Sequence, residues 1–93
     1  MNSRTTEGFR RAFSLLPAQI QQRARVAYLR FRRDPNHPSL QFKKVHTVRP
    51  VYSARVGLGY RVLGVREGET LVWFWIGSHA EYDRLLRQLK GGG

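Results

Sequence analysis

At 93 residues, 41% of them hydrophobic and eleven of them aromatic, the chain holds one core and therefore one domain, residues 1–93, with enough apolar content to fold it. It has no cysteine and no apolar run of membrane-spanning length, which excludes disulfides and thiolate metal sites and leads us to expect a cytoplasmic protein with no membrane partner. Seventeen Lys and Arg, fourteen of them Arg, oppose six acids for a net charge of +11, which points to a polyanion, nucleic acid above all, as partner.

Phe9, Ala12, Phe13 and Leu16 recur at three- and four-residue steps, which predicts a short amphipathic helix from Thr6 to about Leu16. Pro17 restarts the chain, and Ile20, Ala24, Ala27 and Phe31 predict a second helix to about Arg33, its other faces crowded with arginine. The prolines of "RDPNHPSL" then break the helical pattern. From Leu40 four strands are predicted, "LQFKKV", "VYSARV", "YRVLGVRE" and "TLVWFWIG", the last three linked by tight turns at Gly57 to Gly59 and around Gly68. Leu71 to Ile76 is apolar on both faces, as in a strand covered on both sides. A last helix runs from about His79 to Lys90 on the stripe Tyr82, Leu85, Leu86 and Leu89, and the final glycines, 91–93, read as a frayed tail. The expected fold is α+β, with two N-terminal helices packed on a four-stranded, mainly antiparallel twisted sheet and a C-terminal helix.

Chemistry concentrates in two places. If Val56 faces Tyr60 across the "GLG" loop, Arg55 faces Arg61, and like charges so placed are tolerated when an anion lies between them, a phosphate clamp. "SHAE" is a capping box at Ser78 and Glu81 that makes His79 the first helical residue and a candidate base, with Tyr82 on the same face so that an imidazole and a phenol can share a pocket; the other reading is a polar cap beside a tyrosine of the helix's apolar stripe. His37 and His46 lack the spacing of metal ligands, so no metal and no cofactor is expected. Trp73 and Trp75 are read as sharing one face with Tyr60 and Val62, a stripe more typical of core than of a base-stacking platform. Arg23, Arg25, Arg30, Arg32 and Arg33 of the second helix, with Lys43, Lys44 and His46 on the first strand, are the candidate nucleic-acid-binding surface.

An Arg-rich helical hairpin followed by "NHPSLQFKKV", "YSARVGLGYRVLGV" and "IGSHAEYDRLL" resembles the RelE/ParE superfamily of bacterial type II toxin–antitoxin systems. The resemblance implies a toxin neutralised by a cognate antitoxin. Its RelE-like branch cleaves messenger RNA in the A site of the small ribosomal subunit without metal, leaving 2′,3′-cyclic phosphate ends. Arg61 then matches the family's sheet arginine, Arg55 a basic position on the preceding strand and His79 the position of a catalytic His or Arg, with Tyr82 a looser match and His46 a possible substitute on the first strand's exit. Ser53 stands where RelE carries a lysine, and the family's C-terminal tyrosine lies further along than Tyr82. The ParE-like branch instead implies a DNA gyrase inhibitor without nuclease activity, and the charge alone also fits a non-toxic nucleic-acid-binding module.

Overall fold

The computed structural model describes residues 1–57 and 59–91; Leu58 of the expected hairpin loop and residues 92–93 of the terminal glycines lie outside the described residues. Helix α1 spans Glu7–Ser14. Thr6 is its N-cap rather than its first residue, because the Thr6 hydroxyl accepts a hydrogen bond from the Phe9 amide at 3.0 Å. Pro17 is likewise the cap of α2, Ala18–Arg33. The predicted stripe of α2 faces inward, with Ala27 and Phe31 buried. A short 3-10 turn, Pro38–Leu40, follows, and then β2 (Lys43–Lys44), β3 (Val51–Arg55), β4 (Tyr60–Glu67), β5 (Thr70–Ser78) and α3 (His79–Gly91). α3 thus takes in Gly91, the first of the glycines expected in a tail.

With β1 at Asn2–Thr5, the sheet has five strands in the order β1-β5-β4-β3-β2, one more than expected. The addition is β1, Asn2–Thr5, which lies parallel to β5 with Asn2 opposite Thr70 and Thr5 opposite Trp73. Its sequence, NSRT, carries no apolar alternation. It is held by backbone pairing and by the Trp73 indole, whose Nε1 donates to the Ser3 hydroxyl at 2.6 Å, so no periodicity announces it. The strand expected over "LQFKKV" shrinks to Lys43–Lys44, because the 3-10 turn buries Leu40 and leaves Gln41 in the left-handed region at φ 46°.

Helices cover both faces of the sheet. On the face of α1 and α2, Phe31, Leu40, Leu71, Trp73 and Ile76 form the larger core. Phe31 meets Trp73 edge-on at 5.3 Å and Phe42 at 5.1 Å, arrangements favoured by the ring quadrupoles. On the other face Val51, Leu63 and Tyr82 pack with Trp75, Leu85 and Leu86 beneath α3. The apolar run of β5 is therefore covered on both sides, as its composition implies.

A β-bulge separates the two tryptophans. Leu63 pairs with Trp75 but Gly64 pairs with Trp73, so one extra residue, Phe74, sits in β5. An extra residue shifts the alternation beyond it. Trp73 shares the first core with Tyr60 and Val62, whereas Trp75 lies in the second, so the expected common stripe does not form. Gly64 makes room for the first indole, since a Cβ there would lie 2.8 Å from Trp73 Cε3.

Candidate active site and nucleic-acid interface

The β3–β4 hairpin closes as its glycines require. Gly57 and Gly59 adopt φ of 91° and 78°, and the Val56 amide donates to the Tyr60 carbonyl at 3.1 Å. Arg55 is consequently opposite Arg61, and Arg61 is opposite Gly77 on β5. The His79 amide donates to the Gly59 carbonyl at 2.7 Å, tying the start of α3 to the hairpin. Arg55, Arg61 and His79 are thus brought to one end of the sheet.

Arg61 is the one buried charged side chain among the described residues, 8% exposed. Its guanidinium carbon lies 5.2 Å from the centre of the Tyr82 ring, within cation–π range. Nη2 donates to Gln41 Oε1. Among the described residues Nη1 has no hydrogen-bond partner, and it is the only buried side-chain nitrogen or oxygen in that condition. Leaving a charged donor unpaired away from water costs several kcal/mol of order. A planar fork with one arm held and the other unsatisfied is suited to a phosphate oxygen.

Tyr82 is 3% exposed, and its hydroxyl donates to the Ser53 hydroxyl at 3.0 Å, where Ser53 is fully buried. The phenol therefore points into the domain, and the face of its ring supports Arg61. His79 stacks on the same ring, with centroids 5.9 Å apart, and stays largely exposed. Its Nε2 lies 3.4 Å from Asp83 Oδ2. One phenol ring thus touches both the buried cation and the exposed imidazole.

The capping box forms as spaced. The Ser78 hydroxyl accepts from the Glu81 amide at 3.2 Å, and the Glu81 carboxylate accepts from the Ser78 amide at 3.2 Å and from its hydroxyl at 2.9 Å. These bonds, the Ser78 side chain's first and its backbone's next, hold the Glu81 carboxyl below its ordinary value. Their stabilisation is present above the unfolded carboxylate pKa and is lost as pH falls through the lowered folded value. Ser78→Ala is expected to reduce stability by about 1 kcal/mol at neutral pH. In urea unfolding the gap between parent and variant should narrow as the medium is acidified. A gap that widens in acid would contradict this assignment.

The basic residues divide among several surfaces. Arg23 and Arg30, seven apart on α2, line a groove with Arg55, Gln19 and Gln22. Arg30 donates to the Ser39 hydroxyl at 3.2 Å. Arg25 and Arg32 lie on another row of α2, over the Phe13 and Tyr28 rings at 5.3 and 5.9 Å, and Arg33 is exposed at the helix end. Lys43, Lys44 and His46 line a shallow depression beside Leu86 of α3. His46 Nδ1 accepts from the Val48 and Arg49 amides at 3.2 and 2.9 Å, so that nitrogen is engaged in shaping its own loop.

Two residues of the site escaped the sequence reading. Asp83 is four residues beyond His79, a spacing that places side chains together on a helix and could have been used. Gln41 had no signal, because it is twenty residues from Arg61 and its approach depends on the left-handed backbone after the 3-10 turn.

Two helices and a C-terminal helix on a mixed five-stranded sheet define a RelE-type toxin fold. A chain of the RelB–RelE antitoxin–toxin complex from Methanococcus jannaschii has a TM-score of 0.69, covering 87% of this chain and 96% of that one at 19% identity. The isolated RelE toxin of E. coli has a TM-score of 0.64, with 95% and 98% covered at 13% identity. A chain of the RelBE2 toxin–antitoxin complex from Mycobacterium tuberculosis has 0.60, with 84% and 96% covered at 26% identity. No curated protein matches the sequence. Residues 18–84 match the family of the ParE-like toxin domain, and the chain belongs to that family, as a toxin of the RelE/ParE superfamily.

Proposed function

We propose that this toxin is a ribosome-dependent, metal-independent endoribonuclease that cuts messenger RNA in the A site and so stops translation. The observation that carries this reading is Arg61, a buried guanidinium with an unpartnered Nη1, on the same tyrosine ring as His79. In the reaction the 2′-hydroxyl oxygen of one nucleotide bonds to the adjacent phosphorus and the bond from phosphorus to the 5′-oxygen breaks, giving a 2′,3′-cyclic phosphate and a free 5′-hydroxyl. His79 exchanges the proton at one of these oxygens, with Asp83 orienting its ring. Arg61 holds the charge that grows on the phosphorane, and Arg55, opposite it on the ladder and lining the groove with Arg23 and Arg30, holds the adjoining RNA backbone. Tyr82 serves as the shelf for both groups. The Arg23 and Arg30 groove, the Arg25, Arg32 and Arg33 side of α2 and the Lys43, Lys44 and His46 edge hold the RNA backbone through salt-sensitive phosphate contacts.

A cognate antitoxin is the second proposed partner. Two of the similar structures are described as complexes of toxin with antitoxin. The cleft between α1, α2 and the sheet, about 420 Å³ and lined by Phe9, Phe13 and Tyr28 with Arg10 and Arg25 beside them, supports an occupant that is apolar and acidic.

The test pairs a cell-free translation reaction with a DNA gyrase supercoiling assay. Translation should stop, the ribosome-bound message should carry cyclic phosphate ends, and supercoiling should continue. Loss of supercoiling with translation intact would sink the ribonuclease reading in favour of gyrase inhibition.

A further inference from the structure

We propose that Gln41 is a positioning residue: its side-chain oxygen holds one arm of Arg61 so that the other stays open to the substrate phosphate, and its neutrality keeps the arginine's charge available. The inference rests on Arg61 being the phosphate-binding group of the proposed ribonuclease, and it adds a residue from an element outside the strands and α3.

Three observations meet here. Gln41 is the one non-glycine residue with a positive φ, 46°, among the described residues. A left-handed backbone disfavours side chains with a Cβ, and such conformations persist where the surroundings dictate them. The surroundings do so here: the Leu40 side chain is anchored in the core, and the Gln41 amide donates to the Pro38 carbonyl at 3.2 Å. His37 caps the same turn, its Nδ1 accepting from the Ser39 amide. A glycine would adopt this backbone more readily, yet the chain places there an amide whose Oε1 accepts from Arg61 Nη2.

The geometry around Arg61 gives that bond a purpose. The Tyr82 ring supports the guanidinium from one side, which leaves rotation in its plane to be fixed. An acceptor on Nη2 fixes it, and Nη1 is then the arm without a partner. A carboxylate in place of the amide would accept the same hydrogen bond but would also neutralise the cation and compete with the phosphate. Gln41 is itself exposed, so a change in its head group disturbs no packing.

The test uses the full chain with two substitutions, Gln41→Glu and Gln41→Gly, and Arg61→Met as reference. Cleavage of ribosome-bound message gives kcat and KM, and thermal unfolding with and without inorganic phosphate gives stability and anion binding. Gln41→Glu should retain or raise Tm in the absence of phosphate, lose the part of the phosphate-dependent rise that Arg61→Met also loses, and lower kcat about tenfold or more. Gln41→Gly relieves the backbone but strips a buried guanidinium of its hydrogen-bond acceptor, so its Tm should stay level or fall modestly, while kcat falls about tenfold with KM little changed. In Gln41→Glu stability is kept while rate and phosphate response fall, which a merely structural role cannot produce. The proposal is overturned if either variant cleaves as fast as the parent, or if rate and Tm fall together in both. Should the parent cut no message while Gln41→Glu still loses the phosphate response, the ribonuclease reading fails and the positioning of Arg61 stands.

Discussion

Arg61→Met is expected to abolish messenger RNA cleavage and growth arrest while leaving the protein at least as stable as before. Arg61 is 8% exposed, and among the described residues its guanidinium has one neutral acceptor and one aromatic face but no acid in hydrogen-bond contact. A buried charge in that condition is costly, and replacing such groups by apolar side chains of similar length is often neutral or stabilising by about 1–4 kcal/mol. In the proposed reaction the same charge is, among the described residues, the one buried cation available to a phosphorane. Removing one preorganised donor of this kind lowers rates by about 10²–10³-fold. Urea unfolding and single-turnover cleavage, measured on the same preparations, check both halves. A variant that remains fully toxic would show that the phosphate is held elsewhere. One that is inactive because it is unfolded would show that Arg61 serves the fold.

Tyr82 should behave in two different ways depending on what is removed. Tyr82→Ala opens a cavity between α3 and the sheet and is expected to cost about 3–5 kcal/mol, with cleavage lost because neither Arg61 nor His79 keeps its support. Tyr82→Phe keeps the ring and deletes only the donor to Ser53, which is fully buried. That substitution should cost about 1–3 kcal/mol and leave the cleavage rate within a few-fold of the parent. Adding Ser53→Ala to Tyr82→Phe removes both halves of the hydrogen bond and should recover much of the lost stability. If Tyr82→Phe were fully stable but nearly inactive, the hydroxyl itself would take part in the chemistry.

What could be read from the residues follows their range of interaction. The capping box at Ser78 and Glu81, the helix stripe through Ala27 and Phe31 and the register that sets Arg55 against Arg61 all depend on neighbours within a few residues or on one tight turn. Each formed as spaced. The Trp73 and Trp75 stripe did not, because a bulge is an added residue in one strand and leaves no mark on alternation when the run is apolar throughout. The site followed the same division. Arg61 and His79 are placed by local turns and meet the same ring, but the Gln41 contact and the inward turn of the Tyr82 hydroxyl onto Ser53 join distant segments, and no pattern foretold them. Exposure of the individual arginines was equally hidden: the spacing of Arg61 says which face of β4 it occupies, and only α3 lying over that face makes it buried.

The parallel strand β1 also sets a schedule for the molecule. Asn2–Thr5 has its ladder partners at Thr70 to Trp73, and the Ser3 hydroxyl waits for an indole seventy residues later. Such a pairing closes a long loop and is slow to form compared with the local hairpins. During synthesis at the ribosome, the opening segment stays unpaired until β5 has emerged, and His79 follows only a few residues behind. A toxin assembled in this order acquires its edge strand and its candidate catalytic end almost together.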